Sequence, residues 1–366
     1  GLAAELRRRG AYLTLRRGNT LAELSRLIAE TGATEIFTGG SAEPWARRLD
    51  NAVADHIAPV PLHRMRTTML FHPEAVRTKT GGVYGVYTPF AKACLALPPP
   101  KPPLPAPAHI PCAPEPDSDP LSNWALLPTT PDWAGGLRAT WSPGEQGAAG
   151  SLRRFVDERM AGYAAQRDRP DRDATSALSP HLRFGEISAA QVWHAVHSAA
   201  SSAGQEKFIR ELLWREFSLH LLWHHPTMPD QPLRAAFAAM PWRDDPTGLR
   251  AWQSGRTGIP IVDAGMRQLW HTGWMHNRVR MIVASFLVKH LLIDWRAGER
   301  WFWDTLVDAD LANNAASWQW VAGSGADAAP YFRVFNPVLQ GRKFDPDGAY
   351  VRRWVPELAG LSGERI

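Results

Sequence analysis

At 366 residues the chain is long enough for two domains, each with a core of its own. Lys and Arg number 41 against 36 Asp and Glu, a mild positive balance that is compatible with a polyanionic partner without requiring one. Cys94 and Cys112 are the only cysteines and lack C-x-x-C spacing, so neither a disulfide framework nor a zinc site is suggested. There is no apolar run of about 18 residues and no signal-peptide core, so the expectation is a soluble, cytoplasmic protein with no bound metal and no membrane partner.

In chain order, a helix is expected to end at Gly10, followed by a short strand over residues 12–15. Thr20 is expected to cap a helix whose Leu21, Leu24, Leu27 and Ile28 fall at helical spacing. Residues 35–38 read as a strand, 42–56 as a helix and 60–63 as a third strand. Such alternation implies a parallel, doubly wound sheet. Between Pro98 and Pro120 eleven of twenty-three residues are proline, so this stretch reads as an extended connector. Ser151 is expected to cap a helix with Leu152, Phe155, Val156, Met160 and Tyr163 along one side. Ser188 caps the next, with Val192, Trp193 and Val196, and residues 205–320 carry helical periodicity almost throughout. The expected organisation is an α/β domain over 1–94, a Pro-rich linker over 95–140 and a larger all-α domain over 141–366.

The polar residues of the helical half carry the chemistry. Residues 257–328 thread an apolar helical core with Asn277, Arg278, Arg280, Asp308, Asp310, Asn314 and several tryptophans. Each buried polar group needs a partner, so a polar, aromatic ligand is expected in their midst. The seventeen tryptophans of the chain serve either as core or as π-surface for a flavin or for bases. Thr175, Ser176, Ala177, Leu178 and Ser179 lie between a charged loop and a helix, where hydroxyls and amides suit either a helix cap or a phosphate. Asp308 and Asp310 lie two apart, as at a helix N-terminus, and no His or Cys is near to complete a metal site. Glu211, Trp214 and Arg215 fall at i, i+3 and i+4 and are expected on one helical face.

ATSALSPHLRFGEIS (174–188), ELLWREF (211–217), WMHNRVRM (274–281), DADLANNAASWQW (308–320) and the closing NPVLQGRKFDPDGAYVRRWVPEL (336–358) together resemble the photolyase/cryptochrome flavoproteins. The similarity is greatest to the class I cyclobutane pyrimidine dimer photolyases. It implies an α/β N-terminal domain with a partial Rossmann-like parallel sheet, then a larger all-α FAD-binding catalytic domain. Members of the family begin with a strand and helix that precede Gly1, so the resemblance implies an N-terminal truncation. Non-covalent FAD is implied at Tyr163, Thr175, Ser176, Ala177, Leu178 and Ser179, at Arg280 paired with Asp308, and at Ala309, Asp310 and Asn314. Asp310 is implied at the flavin ring edge and Asn314 beside its N5.

The same resemblance makes Glu211 a hydrogen-bonding partner of the damaged bases, and Trp214 and Trp320 the aromatic walls of their pocket. Arg167, Arg215, Arg278, Arg333 and Gln340 are implied on the DNA side. Asn277 and Met281 stand where (6-4) photolyases carry histidines, which favours cyclobutane dimers, whose splitting requires no acid–base imidazole. Trp242, Trp295 and Trp318 match an electron-transfer relay. The implied activity is light-driven repair of cyclobutane pyrimidine dimers in DNA, by a carbon-carbon lyase acting as a monomer. A second chromophore, folate or deazaflavin, is left open, because much of its site would precede Gly1. The alternative is a cryptochrome-like blue-light receptor that signals through partners. Asn314, Glu211 and Met281 favour repair.

Overall fold

The computed structural model describes residues 1–329 and 333–362, so the far end of the expected 141–366 domain lies outside the described residues. The N-terminal part runs α1 (Leu2–Arg8), α2 (Thr20–Thr31), β1 (Ile36–Gly40), α3 (Pro44–His56), β2 (Leu62–Arg66) and α4 (Tyr87–Ala96). β1 and β2 pair in parallel from Ile36 opposite Leu62 to Gly40 opposite Arg66, with α3 as the crossover. This is an α/β unit with a small parallel sheet, as the alternation requires.

Two details of the N-terminal part differ from expectation. Asn19, not Thr20, caps α2, its side chain accepting from the Leu21 and Ala22 amides. Residues 12–15 form no strand. The Leu15 N–H donates to Ser118 Oγ at 2.8 Å and the Leu15 carbonyl accepts from the Asp119 amide at 2.7 Å. The Pro-rich stretch therefore lies along residues 9–17, and prolines without N–H groups cannot offer these residues a ladder.

The C-terminal part is helical: α5 (Gly135–Thr140), α6 (Glu145–Arg154), α7 (Tyr163–Gln166), α8 (Ser179–Arg183), α9 (Ala189–Ser198) and α10 (Ala203–His224) come first. Then follow α11 (Pro246–Gln253), α12 (Pro260–Thr272), α13 (Asn277–Ser285), α14 (Trp295–Thr305), α15 (Leu311–Ala322), α16 (Pro337–Phe344) and α17 (Ala349–Trp354). Ser188 caps α9 in a full capping box with Gln191. Ser151 does not begin a helix: it is buried inside α6, which starts after Gly144.

Two apolar clusters hold the helices. One gathers Phe90 of α4, Phe155, Phe208, Leu213 and Phe217. The other gathers Trp252, Met266, Val279, Trp295, Phe302 and Trp318. α15 belongs to both: Ala312 and Ala315 face the first, Trp318 and Val321 the second. A helix shared by two cores is held from both sides, which suits it to carry residues whose placement matters. Among the described residues no helix is long and apolar enough to cross a membrane.

Buried histidines make this packing sensitive to acid. His220 on α10 and His276 before α13 are both buried, and burial pushes their pKa values down to about 3 and about 4. Below the ordinary histidine value the unfolded chain therefore binds more protons than the folded one, so stability rises with pH. That contribution is complete above the unfolded pKa of about 6.5 and declines towards the folded values. Lowering the pH from about 7.5 to about 5.5 is expected to reduce stability by roughly 1 kcal/mol per histidine. Urea midpoints measured across this range check it, and a flat profile would contradict the buried, neutral assignment.

Candidate functional site

The polar groups expected around a cofactor converge where α13 and α15 pack together. Arg280 on α13 donates from Nη2 to Asp308 at 2.8 Å and from Nε to the Met275 carbonyl at 2.7 Å. The Asp308 side chain is only 3% exposed, and its second oxygen is buried with no hydrogen-bond partner among the described residues. A buried acceptor in that state calls for a donor, and a polar ring edge or hydroxyl supplies one.

Asp310 caps α15 by accepting from the backbone and side-chain amides of Asn313 at 2.8 and 2.6 Å. One turn on, Asn314 is buried and donates from Nδ2 to the carbonyl and the carboxylate of Glu299, both at 2.9 Å. Its amide plane is thereby fixed, and neither bond uses Oδ1. Glu299 itself is held above the usual carboxylate range by burial, against the opposing effect of the Asn314 bond.

Tyr163 begins α7, buried edge-on to Phe155 and Phe208. Burial first, and then the nearby Glu211 charge, push its phenol up, so it remains a neutral donor. In the Thr175–Ser179 loop Ala177 adopts a left-handed backbone (φ +52°) and Leu178 is fully buried. Arg159 holds the Thr175 carbonyl at 3.1 Å, and the Trp274 indole donates to Ser179 Oγ at 3.3 Å. Trp274 thus links this loop to the segment leading into α13. Trp274, Glu299, Asp168, Tyr87 and Asp327 are not among the site residues that the sequence alone points to. Ala309 sits half-buried between the two aspartates.

A second group lies on α10 and beside α15. Glu211 forms ion pairs with Arg167 and, at 3.5 Å, with Lys207. Arg167 is 11% exposed and also approaches Asp168 at 3.5 Å, while Arg278 pairs with Asp168 at 2.9 Å and lies over the Phe344 ring. Trp214 is half-buried and stacks on Tyr87 with ring centroids 3.7 Å apart and planes 6° apart. The common face expected of Glu211, Trp214 and Arg215 divides, because Arg215 donates to the Thr68 carbonyl at 2.8 Å and ties α10 to the N-terminal part.

Trp320 is half-buried, donates to the Asp327 carbonyl at 3.1 Å and stacks near Phe335, over which Arg333 lies. Asn277 is exposed at the start of α13, Met281 is half-buried with its sulfur 3.6 Å from an Arg278 nitrogen, and Gln340 is half-buried on α16.

Trp242, Trp295 and Trp318, the tryptophans expected to form a relay, lie in one core. Trp295 and Trp318 are each 2% exposed, and half-buried Trp242 packs against the same cluster. The Arg243 amide donates to the Leu292 carbonyl at 2.7 Å, bringing the Trp242 loop beside the approach to Trp295. Trp318 in turn presses onto α14 at Gly298, where a Cβ would lie 2.1 Å from the indole. Any side chain there would push the ring away.

Comparison with known proteins agrees with this layout. Residues 1–108 match the DNA photolyase family model, and residues 208–366 match the model for the FAD binding domain of DNA photolyase. The chain is 50% identical over 372 aligned residues to a deoxyribodipyrimidine photo-lyase of Agrobacterium fabrum, covering 100% of this chain and 78% of that one. It superposes with TM-score 0.96 on the crystal structure of a bacterial class III photolyase from Agrobacterium tumefaciens, at 49% identity over 99% of this chain and 77% of that one. Class III there stands beside the class I likeness read from the motifs. A cryptochrome of Synechocystis sp. PCC6803 superposes with TM-score 0.89 at 28% identity, over 100% of this chain and 77% of that one.

Proposed function

Since the chain belongs to the DNA photolyase family, a family with FAD-binding members, we propose that it repairs cyclobutane pyrimidine dimers in DNA under light, as a deoxyribodipyrimidine photolyase. The observation that carries this reading is the placement on one helix, α15, of fixed Asn314, buried Trp318 and half-buried Trp320, with α15 packed against α10, the helix that carries Trp214 and Glu211. When bound, reduced FAD supplies the light-excited electron that opens the cyclobutane ring and takes it back afterwards.

The chain's own residues do the rest. Arg280 and Asp308 form a charged pair whose unused acceptor, with Asp310, would hold the polar edge of the flavin ring. The Thr175–Ser179 loop and Tyr163 would hold the phosphate part. Asn314 is a neutral amide fixed by Glu299, so it offers a hydrogen bond without adding charge. Trp214 and Trp320 would receive the extruded dimer on aromatic faces, and Glu211 would accept hydrogen bonds from its bases. A damaged, poorly stacked dinucleotide costs less to extrude than an intact pair. Arg278, Arg333 and Gln340 would position the strand through its phosphates without reading sequence.

A second chromophore, folate or deazaflavin, would enter at the cleft of about 250 Å3 beside the carboxyl ends of β1 and β2, lined by Gly40, Ser41, Arg47, Arg64 and Trp223. The protein is proposed to act as a monomer.

Removing one wall tests the assignment. Trp214→Ala is expected to weaken binding to dimer-containing oligonucleotide by roughly 1–3 kcal/mol. Binding of parent and variant should fall with salt alike, because the phosphate contacts that release counterions are unchanged. Titration of labelled oligonucleotide gives both numbers. Equal dimer affinity of Trp214→Ala and parent would contradict the pocket.

A further inference from the structure

Trp214 and Trp320 come from different helices, and each is tied to one short segment at the start of α4. The Tyr87 ring lies flat on the Trp214 indole, 3.7 Å between centroids. That ring is itself fixed, since its hydroxyl donates to the Arg210 carbonyl at 2.7 Å, one turn before Trp214 on α10.

On the other side stands Asp327, whose carbonyl accepts from the Trp320 indole N–H at 3.1 Å. The Asp327 amide donates to the Gly85 carbonyl at 3.1 Å, two residues before Tyr87. Asp327 does this with a left-handed backbone (φ +53°), a conformation that L residues avoid unless surrounding bonds impose it.

We propose that Tyr87 and Asp327 form a bracket that sets the position of both aromatic walls, so that they act as positioning residues for lesion recognition. The proposal rests on the reading of Trp214 and Trp320 as those walls. Its physical basis is preorganisation: a stacking slot that is already the right width loses less freedom when the bases enter. It also gives the N-terminal part a role in the lesion pocket. Tyr87 lies within the residues matched by the DNA photolyase model, whereas Trp214, Trp320 and Asp327 lie within those matched by the FAD-binding model. Neither Tyr87 nor Asp327 needs to touch DNA for this.

The test compares conservative with disruptive changes in the FAD-loaded protein. Tyr87→Phe keeps the stack, and Asp327→Asn keeps tolerance of the left-handed backbone. Both are expected to bind dimer-containing oligonucleotide like the parent. Tyr87→Leu removes the stack, and Asp327→Val disfavours the left-handed backbone that aims the Asp327 carbonyl at Trp320 and its amide at Gly85. Each is expected to lose roughly tenfold in dimer affinity, with affinity for undamaged DNA, salt dependence and flavin occupancy unchanged. The double variant should lose little more than either single one, because the two residues work as a unit.

Parental dimer affinity in both Tyr87→Leu and Asp327→Val would overturn the bracket, and so would an equal loss for undamaged DNA. A parent protein that does not prefer dimer-containing to undamaged DNA would instead overturn the assignment of the walls themselves.

Discussion

Replacing Arg280 by alanine is expected to remove about 3–5 kcal/mol of stability and to lower flavin occupancy with it. The magnitude follows from what is left behind. Asp308 is 3% exposed, and the Arg280 guanidinium is the charge 2.8 Å from one of its oxygens. The other oxygen already lacks a partner among the described residues. Without Arg280 the carboxylate would stay buried and uncompensated, which costs far more than the pair's net value while intact. Arg280→Lys keeps the charge but cannot also donate from a second nitrogen to the Met275 carbonyl, so an intermediate loss is expected. Urea unfolding followed by circular dichroism and bound-flavin absorbance measures both effects. A variant as stable and as fully loaded as the parent would show that Asp308 is stabilised by something else.

Trp242→Phe should abolish light-driven reduction of bound oxidised flavin, slowing it by orders of magnitude, while leaving repair by chemically reduced protein near normal. Phenylalanine fills much of the same space but is far harder to oxidise than indole, so the chain of donors is cut at its outer member. Trp242 is half-buried at the edge of the second core, so the smaller ring should disturb packing little. Trp295 and Trp318 are fully buried, and Trp318 fits against Gly298 without room to spare, so their replacement mixes packing with electron transfer. The comparison requires both assays on one anaerobic preparation with flavin content measured first. Photoreduction of Trp242→Phe at the parental rate would mean that electrons arrive by another route.

Much of this arrangement was legible in the sequence because its signals are local. The D-A-D before α15 places Asp308 and Asp310 around a helix start whatever the rest of the chain does. The capping box at Ser188 and the alternation that yields β1, α3 and β2 are likewise written within a few residues. Residues whose partners are distant were not legible. Glu299 becomes part of the site only because α14 packs on α15. Tyr87 looks like an ordinary aromatic at a helix start until α10 brings Trp214 onto its face. Arg215 shares the i+4 spacing that drew attention to Glu211, yet it turns to Thr68 because the N-terminal part covers that side of α10. The strand expected at residues 12–15 does not form for a related reason: a strand is defined by its neighbour, and the neighbour there is proline-rich.

The central claim, repair of the dimer by this chain with reduced FAD, is tested most directly by one measurement. FAD-loaded protein is reduced with dithionite under anaerobic conditions, mixed with an oligonucleotide carrying a single thymine cyclobutane dimer, and exposed to blue light. The dimer is then counted by chromatography against a dark control. Loss of the dimer with restoration of two intact thymines, only in the light and over many turnovers per protein, is the predicted result. If the reduced, flavin-loaded protein leaves the dimer intact after illumination, the repair assignment fails and the light-receptor reading takes its place.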